Sequence, residues 1–413
     1  MNKYLVKYGF QSPKITDFSD ENLGIIIVIP CHNEEKVTRT LNSLKSCYKT
    51  KYRVKTIVVI NQSEIVLEEI ANQNEKTESE IREWKEKNPL FDVDVIFEKS
   101  LPKKHAGVGL ARKIGMDEAV NLFHQIKKDG IIVALDADCE VEPTYLQEIE
   151  SHFAKNSKSN GCSIRYAHPL QGKEYTANIY KGIINYELHL RYYNQALRYC
   201  GLPYAFHTVG SSMAVKSSAY QKQGGMNKRK AGEDFYFLQK IIELGNFTEL
   251  NATCVIPSPR ISDRVPFGTG KAIGDWIESE ELVYFTYNFN SFLTLKELVD
   301  NISNIYNKVN YSIKSKVLLQ FMDSINFENK IEEIRQNTTN YLNFEKRFFT
   351  FFNAFTVLKY VHFARDNSFP NLPVKEEAIK LLKLVYSKEC EEKSTIEILE
   401  TYRTIEKNGE RDN

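Results

Sequence analysis

The sequence predicts an α/β protein: a parallel sheet covered by helices on both faces, followed by an all-helical C-terminal region. Two observations predict the sheet. Apolar runs of strand length over 24–29, 54–60, 93–97 and 131–135 alternate with segments of helical periodicity. The polar stretches that follow those runs would all open on one rim, where ligands of such sheets sit. A third observation predicts the appendage. Beyond about Ala272 the strand signals stop, and helical periodicity rich in Asn, Lys and Glu continues to the end. A boundary is therefore expected near Lys271, dividing the chain into 1–271 and 272–413.

The first strand, Leu23 to Ile29 and Pro30, is a continuous apolar run, as expected of a strand buried on both faces. Cys31 to Glu35 reads as a loop, with Asn33 expected to cap a helix carrying Val37, Leu41 and Leu44. Val54 to Ile60 is the second strand, ending at Asn61-Gln62-Ser63, and a charged helix over about 64–87 closes at Asn88-Pro89. After a third strand, 93–97, the basic loop Leu101 to Gly109 opens a helix over 110–128. The fourth strand, 131–135, ends on Asp136-Ala137-Asp138. A short helix over 143–153 and a strand over 162–168 follow, then a Tyr-rich helix over 175–199 expected to pack over the sheet. A strand over 205–215 has Gly210 at its centre, where backbone can pass close to a ligand. Gly232-Glu233-Asp234 starts a helix that Gly245 stops.

Composition excludes several classes. With 55 basic and 54 acidic residues there is no overall field for nucleic acid. Seven scattered cysteines without a C-x-x-C pair fit a reducing compartment. The N-terminal residues hold no apolar stretch of signal-peptide length, and the apolar run 348–358 is too short to span a bilayer. A soluble, cytoplasmic chain is expected, with peripheral membrane contact left open. The aromatics between Phe344 and Phe363 recur at helical spacing and read as core of the tail.

Two nucleotide-binding motifs fail. Gly107-Val-Gly109-Leu-Ala-Arg112 puts Arg where a dinucleotide fingerprint needs Gly or Ala, and it does not follow directly on a strand. Phe267-Gly-Thr-Gly270-Lys271-Ala272 lacks the hydroxyl residue after Lys, and Val265 replaces the first Gly of a P-loop. The strongest chemical signal is Asp136 and Asp138. Two residues apart on extended chain, they leave the same face, and two carboxylates at one strand end repel unless a cation lies between them. A hard divalent ion carrying a phosphate ligand meets that need; a polar turn closing the strand has the same composition.

The order Ile-Val-Ile-Pro30-Cys-His-Asn-Glu-Glu35, then Asp136-Ala-Asp138, then Gly-Glu233-Asp234 resembles family 2 glycosyltransferases of the GT-A fold, over about residues 24–270. The resemblance implies a nucleotide-sugar donor at the strand rim, with UDP-sugars favoured and a saccharide or lipid-linked glycan as acceptor, as in polysaccharide biosynthesis. It implies that Pro30, His32 and Glu34 form the base and ribose side. His32 stands where the family usually has Tyr or another residue, and an imidazole can still stack on a uracil. Asn61 stands where an Asp commonly reads the base, and an amide donates as well as accepts. Asp138 would hold Mn2+ or Mg2+, with Asp136 on metal or ribose, and a bound cation would stabilise the leaving diphosphate. Asp234 would be the base that takes the acceptor proton, with Glu233 beside it. Acids at a helix start are also favoured by the helix dipole alone. One base and no visible second nucleophile imply inversion.

Arg112, with Lys103 and Lys104, suits the diphosphate, although the two lysines equally fit a solvated loop. Ser258 to Lys271 reads either as a loop closing over the donor, with Arg264 or Lys271 reaching phosphate, or as an interdomain linker. His207 is a weaker candidate at the acceptor side. The competing functions are a retaining transferase, a nucleotidyltransferase of similar architecture, and an inactive sugar-nucleotide-binding scaffold working through its helical tail.

Overall fold

Five consecutive side chains, Ile25 to Ile29, are almost wholly shut from solvent, because the strand that carries them is flanked and covered on all sides. A computed structural model describes residues 2–262, 268–279, 283–309 and 312–409. The strands are β1 (Leu23–Cys31), β2 (Arg53–Ser63), β3 (Val93–Leu101), β4 (Ile131–Ala134), β5 (Cys139–Val141), β6 (Gly161–Tyr166), β7 (Met213–Lys216) and β8 (Phe247–Pro257). Eight helices interleave with them: α1 (Lys3–Tyr8), α2 (Val37–Lys45), α3 (Glu68–Lys87), α4 (Val108–Gln125), α5 (Tyr145–Lys155), α6 (Ala177–Tyr199), α7 (Ser217–Lys222) and α8 (Glu233–Glu243).

The described residues form two compact units, Met1–Pro169 with His207–Lys271, and Leu170–Phe206 with Ala272–Asn413. In the first, all eight strands make one sheet in the order β3-β2-β1-β4-β7-β6-β8-β5. β3, β2, β1 and β4 run parallel, as the strand and helix alternation predicts. β7 then enters antiparallel to β4 and to β6, β6 lies parallel to β8, and β5 closes the edge antiparallel to β8. The sheet is thus mostly parallel with an antiparallel insertion. The class is that of the GT-A sheet, with a helical C-terminal region beyond it.

Several local expectations need correction. The expected strand over 205–215 is strand only from Met213, and the chain before it is loop and turn. β8 was not expected, because Thr248, Glu249, Asn251 and Thr253 break up its apolar pattern. Asn33 does not cap α2. It adopts the left-handed region at φ 51°, its N–H bonds the Asn74 side chain at 2.8 Å, and Lys36 occupies the cap position. The tail also contains one two-residue antiparallel pairing, Phe285–Thr286 with Leu372–Pro373.

The second unit is built on α6, which packs against the helices Val374–Tyr386 and Thr395–Asn408. So the helix expected to cover the sheet finds its partners among the tail helices. Arg191 on α6 is fully buried and bonds both Glu187 and Glu406, while Arg403 donates to both carboxylate oxygens of Glu187 at 2.7 and 2.8 Å. Phe344, Phe348, Phe352 and Tyr360 lie in the core of this unit. No helix among the described residues is long and apolar enough to cross a membrane.

In the first unit α4 lies against β1 and β2, and Gly115 makes that approach fit. A Cβ there would stand 2.4 Å from Val28 Cγ1 and 3.0 Å from Val59 Cγ2. In an open helix Gly→Ala gains about 1 kcal/mol from propensity, but overpacking a core costs about 1–3 kcal/mol. Gly115→Ala is therefore expected to lower unfolding free energy in a denaturant titration. A gain would show that the helix relaxes away from the sheet without cost.

Candidate active site

The site begins at the end of β4. Ile131–Ala134 pairs with β1, and the chain then turns, Cys139 N–H bonding the Asp136 carbonyl at 3.1 Å. Thr40 on α2 pins that turn through its hydroxyl, which donates to the Ala137 carbonyl at 2.8 Å. Both carboxylates keep part of their surface in solvent, 34% for Asp136 and 24% for Asp138.

Each aspartate is met by a different arginine. Arg112, near the start of α4 and 3% exposed, donates one terminal nitrogen to Asp136 Oδ1 at 2.5 Å and the other to Glu233 Oε1. Asp234, the next residue, accepts from the Gly210 N–H at 2.9 Å and from the Phe235 N–H at 2.7 Å. Gly210 lies flat on the guanidinium, since a Cβ there would stand 2.5 Å from Nη1 and 2.7 Å from Cζ of Arg112. The acids at the end of β4 and those at the start of α8 are thereby gathered around one buried cation.

Glycines also explain how α4 and α8 come so close. Gly109 is packed under the turn before α8, where a Cβ would meet the Arg229 carbonyl oxygen at 2.2 Å and Glu233 Cβ at 3.0 Å. The Gly107-Val-Gly109 pair serves this approach of backbone to backbone. Gly232, at φ 67°, takes the left-handed turn that starts α8.

Electrostatics follow from the burial. Burial works against the charge on Arg112, but the carboxylates of Asp136, Glu233 and Asp234 outweigh it and hold the guanidinium protonated. Burial pushes the Glu233 carboxyl up, Arg112 offsets part of the rise, and Asp234 and Asp136 add to it. Burial likewise pushes Asp234 up, against Arg112 and its two backbone N–H donors.

The other rim residues come together on the first strands. His32 donates Nδ1–H to the Asn61 carbonyl at 2.7 Å, which joins the loop after β1 to the end of β2. Glu34 is 2% exposed, and its own carbonyl accepts from Thr77 at 2.6 Å. Pro30 lies in β1, beside Val59 of β2. Arg260, which sequence reasoning passed over, bridges Glu34 and Asp138: Nη2 to Glu34 Oε2 at 2.5 Å and Nε to Asp138 Oδ2 at 2.9 Å. The signal that could have found it is the pairing of β8 with β5, which sets Pro257 opposite Cys139 and delivers the residues after β8 to Asp138. Lys271 lies in the helix Thr269–Glu278, and Arg264 lies outside the described residues. His207 packs edge-on against Tyr166, ring centres 5.2 Å apart.

Among the described residues no three His, Cys, Asp or Glu side chains converge as a cage for a metal ion. Asp136 and Asp138 are instead each paired with an arginine; carboxylate oxygens are the donor type that Mg2+ or Mn2+ takes beside phosphate and water.

Residues 26–223 match the family described as Glycosyl transferase family 2. That segment is what the chain shares with the family, and the sheet that carries it is of the GT-A class. The match ends before Glu233, Asp234 and Arg260, so those three stand on geometry. No curated protein matches the sequence. Among solved structures, S. aureus TarS 1-349 in complex with UDP-GlcNAc is 12% identical, with a TM-score of 0.40 over 94% of this chain and 92% of that one. The longer S. aureus TarS is 12% identical with a TM-score of 0.35, and this chain covers only 43% of it. GalNAc-T7 with UDP, GalNAc and Mn2+ is 17% identical, with a TM-score of 0.39 over 70% of this chain and 52% of that one.

Gly210→Ala tests the gathering of acids. The new methyl must displace Arg112, so kcat/KM of the purified variant should fall by about tenfold or more, since a misplacement of 1 Å far from the chemistry can cost 10²-fold. Unchanged kinetics would show that Arg112 does not position the carboxylates.

Proposed function

We propose that the chain is a metal-dependent, inverting transferase that moves a sugar from a nucleotide diphosphate donor to a hydroxyl of a saccharide or lipid-linked acceptor. What carries the reading is the placement of the Asp136 and Glu233 carboxylates on one buried guanidinium, with Asp234 fixed beside them. Such a cluster holds a donor-binding strand end and a proton acceptor at a set separation, which transfer between two bound molecules requires. UDP-sugars are the favoured donors, and a cytoplasmic setting in polysaccharide synthesis goes with the reading.

In this reading Pro30, His32, Glu34 and Asn61 line the base and ribose side. Asp138, with Asp136, holds Mn2+ or Mg2+. That ion would neutralise charge on the leaving diphosphate. Lys271 and Arg264 are retained as phosphate ligands. Arg112 acts as a positioning residue: its buried guanidinium is committed to two carboxylates, and it orients Asp136 and Glu233. Asp234 takes the proton from the acceptor hydroxyl as that oxygen attacks the anomeric carbon from the face opposite the leaving group. Its carboxylate is aimed by two backbone N–H donors, and Glu233 sits beside it as part of the same charged group.

The donor half is tested by calorimetry with UDP, GDP and CDP, with and without Mn2+, on wild type and Asp138→Ala. Tight binding of one nucleotide that needs both Mn2+ and Asp138 is expected. Failure of all three nucleotides to bind would sink the donor site. The base is tested by kinetics. Asp234→Asn should lose about 10²–10⁴-fold in kcat; an active Asp234→Asn would favour a retaining mechanism.

The pH dependence has a definite sign. A base works when ionised, and burial raises the pKa of both acids, so activity is present at high pH and lost as pH falls through the raised value. The acid limb of the kcat profile should lie above the ordinary carboxylate range and vanish in Asp234→Asn. A limb near pH 4, where free carboxyls titrate, would contradict the assignment.

A further inference from the structure

The Arg260 bridge has a consequence for how the donor site loads. Glu34 follows the first strand and Asp138 the fourth, and β1 and β4 are neighbours in the sheet. The two carboxylates therefore face one crevice, and both would carry negative charge there. Glu34 is buried, held through its carbonyl by Thr77 and through Oε1 by the Lys36 N–H at 3.3 Å, so it cannot swing away to relieve repulsion without breaking those bonds. Arg260 resolves the conflict. Its guanidinium reaches Glu34 through both terminal nitrogens, at 3.2 and 2.5 Å, and Asp138 through Nε at 2.9 Å. It is only 27% exposed, and β8 delivers it there through the Pro257 to Cys139 register.

We infer that Arg260 is a competing cation at the donor site, one that holds Asp138 and gives it up to the incoming divalent ion. The inference rests on the reading of Asp138 as an ion ligand. The exchange is a substitution of one positive partner for another. Arg260 keeps its two bonds to Glu34 and releases its Nε bond to Asp138. Asp138 thus passes from one positive partner to another, avoiding the cost of a part-buried charge stripped of a partner. The divalent ion, in turn, must compete with a guanidinium already in place. Arg260 is accordingly a residue that sets ion affinity, and with it the donor concentration at which the site fills.

The test is Mn2+ affinity, read from the free-ion signal in electron paramagnetic resonance, with and without saturating UDP. Since a hydrogen bond between charged groups is worth about 1.5–3 kcal/mol, Arg260→Gln is expected to tighten Mn2+ binding by about tenfold or more. Loss of a positive charge would itself draw in a cation, so the control removes an equal charge that does not touch Asp138. Arg53 is suitable, paired with Asp20 at 2.8 Å. Arg53→Gln should change affinity by less than about threefold, as expected of a screened, part-exposed charge. Arg260→Lys keeps the charge but loses the planar fork, and should also tighten binding, by less; it carries the test if Arg260→Gln does not fold. Unchanged or weaker Mn2+ binding in the Arg260 variants, or an equal gain in Arg53→Gln, overturns the exchange. Mn2+ that binds neither wild type nor variant, or that binds equally well after Asp138→Ala, brings down the donor-site reading itself, and this inference with it.

Discussion

A guanidinium with almost no exposure is the constraint on which the sheet-bearing unit depends. Arg112 cannot lose its proton, and a buried unpaired charge would cost several kcal/mol. Its side chain must therefore be met by acids, and the fold supplies them from two elements distant in sequence, Asp136 after β4 and Glu233 at the start of α8. Once that pairing is imposed, other features follow. Position 210 has to be glycine, because backbone lies on the guanidinium face. Position 109 has to be glycine, because the turn before α8 must come within reach. Burial then pushes Glu233 and Asp234 up, Arg112 offsets part of the rise, and the Asp136 charge adds to it in both.

The two arginines of the site differ in setting. Arg112 is central, buried and shared, and its partners lie on elements that the sheet holds rigidly. Arg260 is peripheral and partly exposed, on a short segment after β8, and it touches the rim of the crevice. A fixed cation suits orientation, whereas a cation at the mouth suits exchange. The difference between them lies in burial and in the rigidity of what carries them, since their chemistry is the same.

Much of this was legible in the sequence. Buried parallel strands advertise themselves as unbroken apolar runs, so β1, β2 and β4 were expected within three residues of where they lie. Asp136 and Asp138 announced themselves by standing where such a run stops, and Gly232-Glu233-Asp234 by opening an amphipathic helix. What was illegible was pairing across the chain. β8 alternates polar and apolar residues irregularly, and its neighbours β6 and β5 lie about a hundred residues away. Without β8 nothing located Arg260. Likewise the composition of 101–112 shows a basic loop and helix start, but only packing shows that Arg112 faces inward. The grouping of α6 with the tail helices had no local signal at all, since its periodicity fixes which stripe is buried and not against what.

The strand order also bears on synthesis at the ribosome. The first four strands in space, β3-β2-β1-β4, are complete once residue 134 has emerged, and they can pair as a parallel half-sheet. The far edge of β4 stays bare until Met213–Lys216 arrives to cover it, nearly eighty residues later. Over that interval the nascent chain carries an exposed strand edge, the feature that invites pairing with other chains. Fragments that stop between these two strands should be the sticky ones, and a translation pause there would be costly. One that falls after β8 finds the sheet closed.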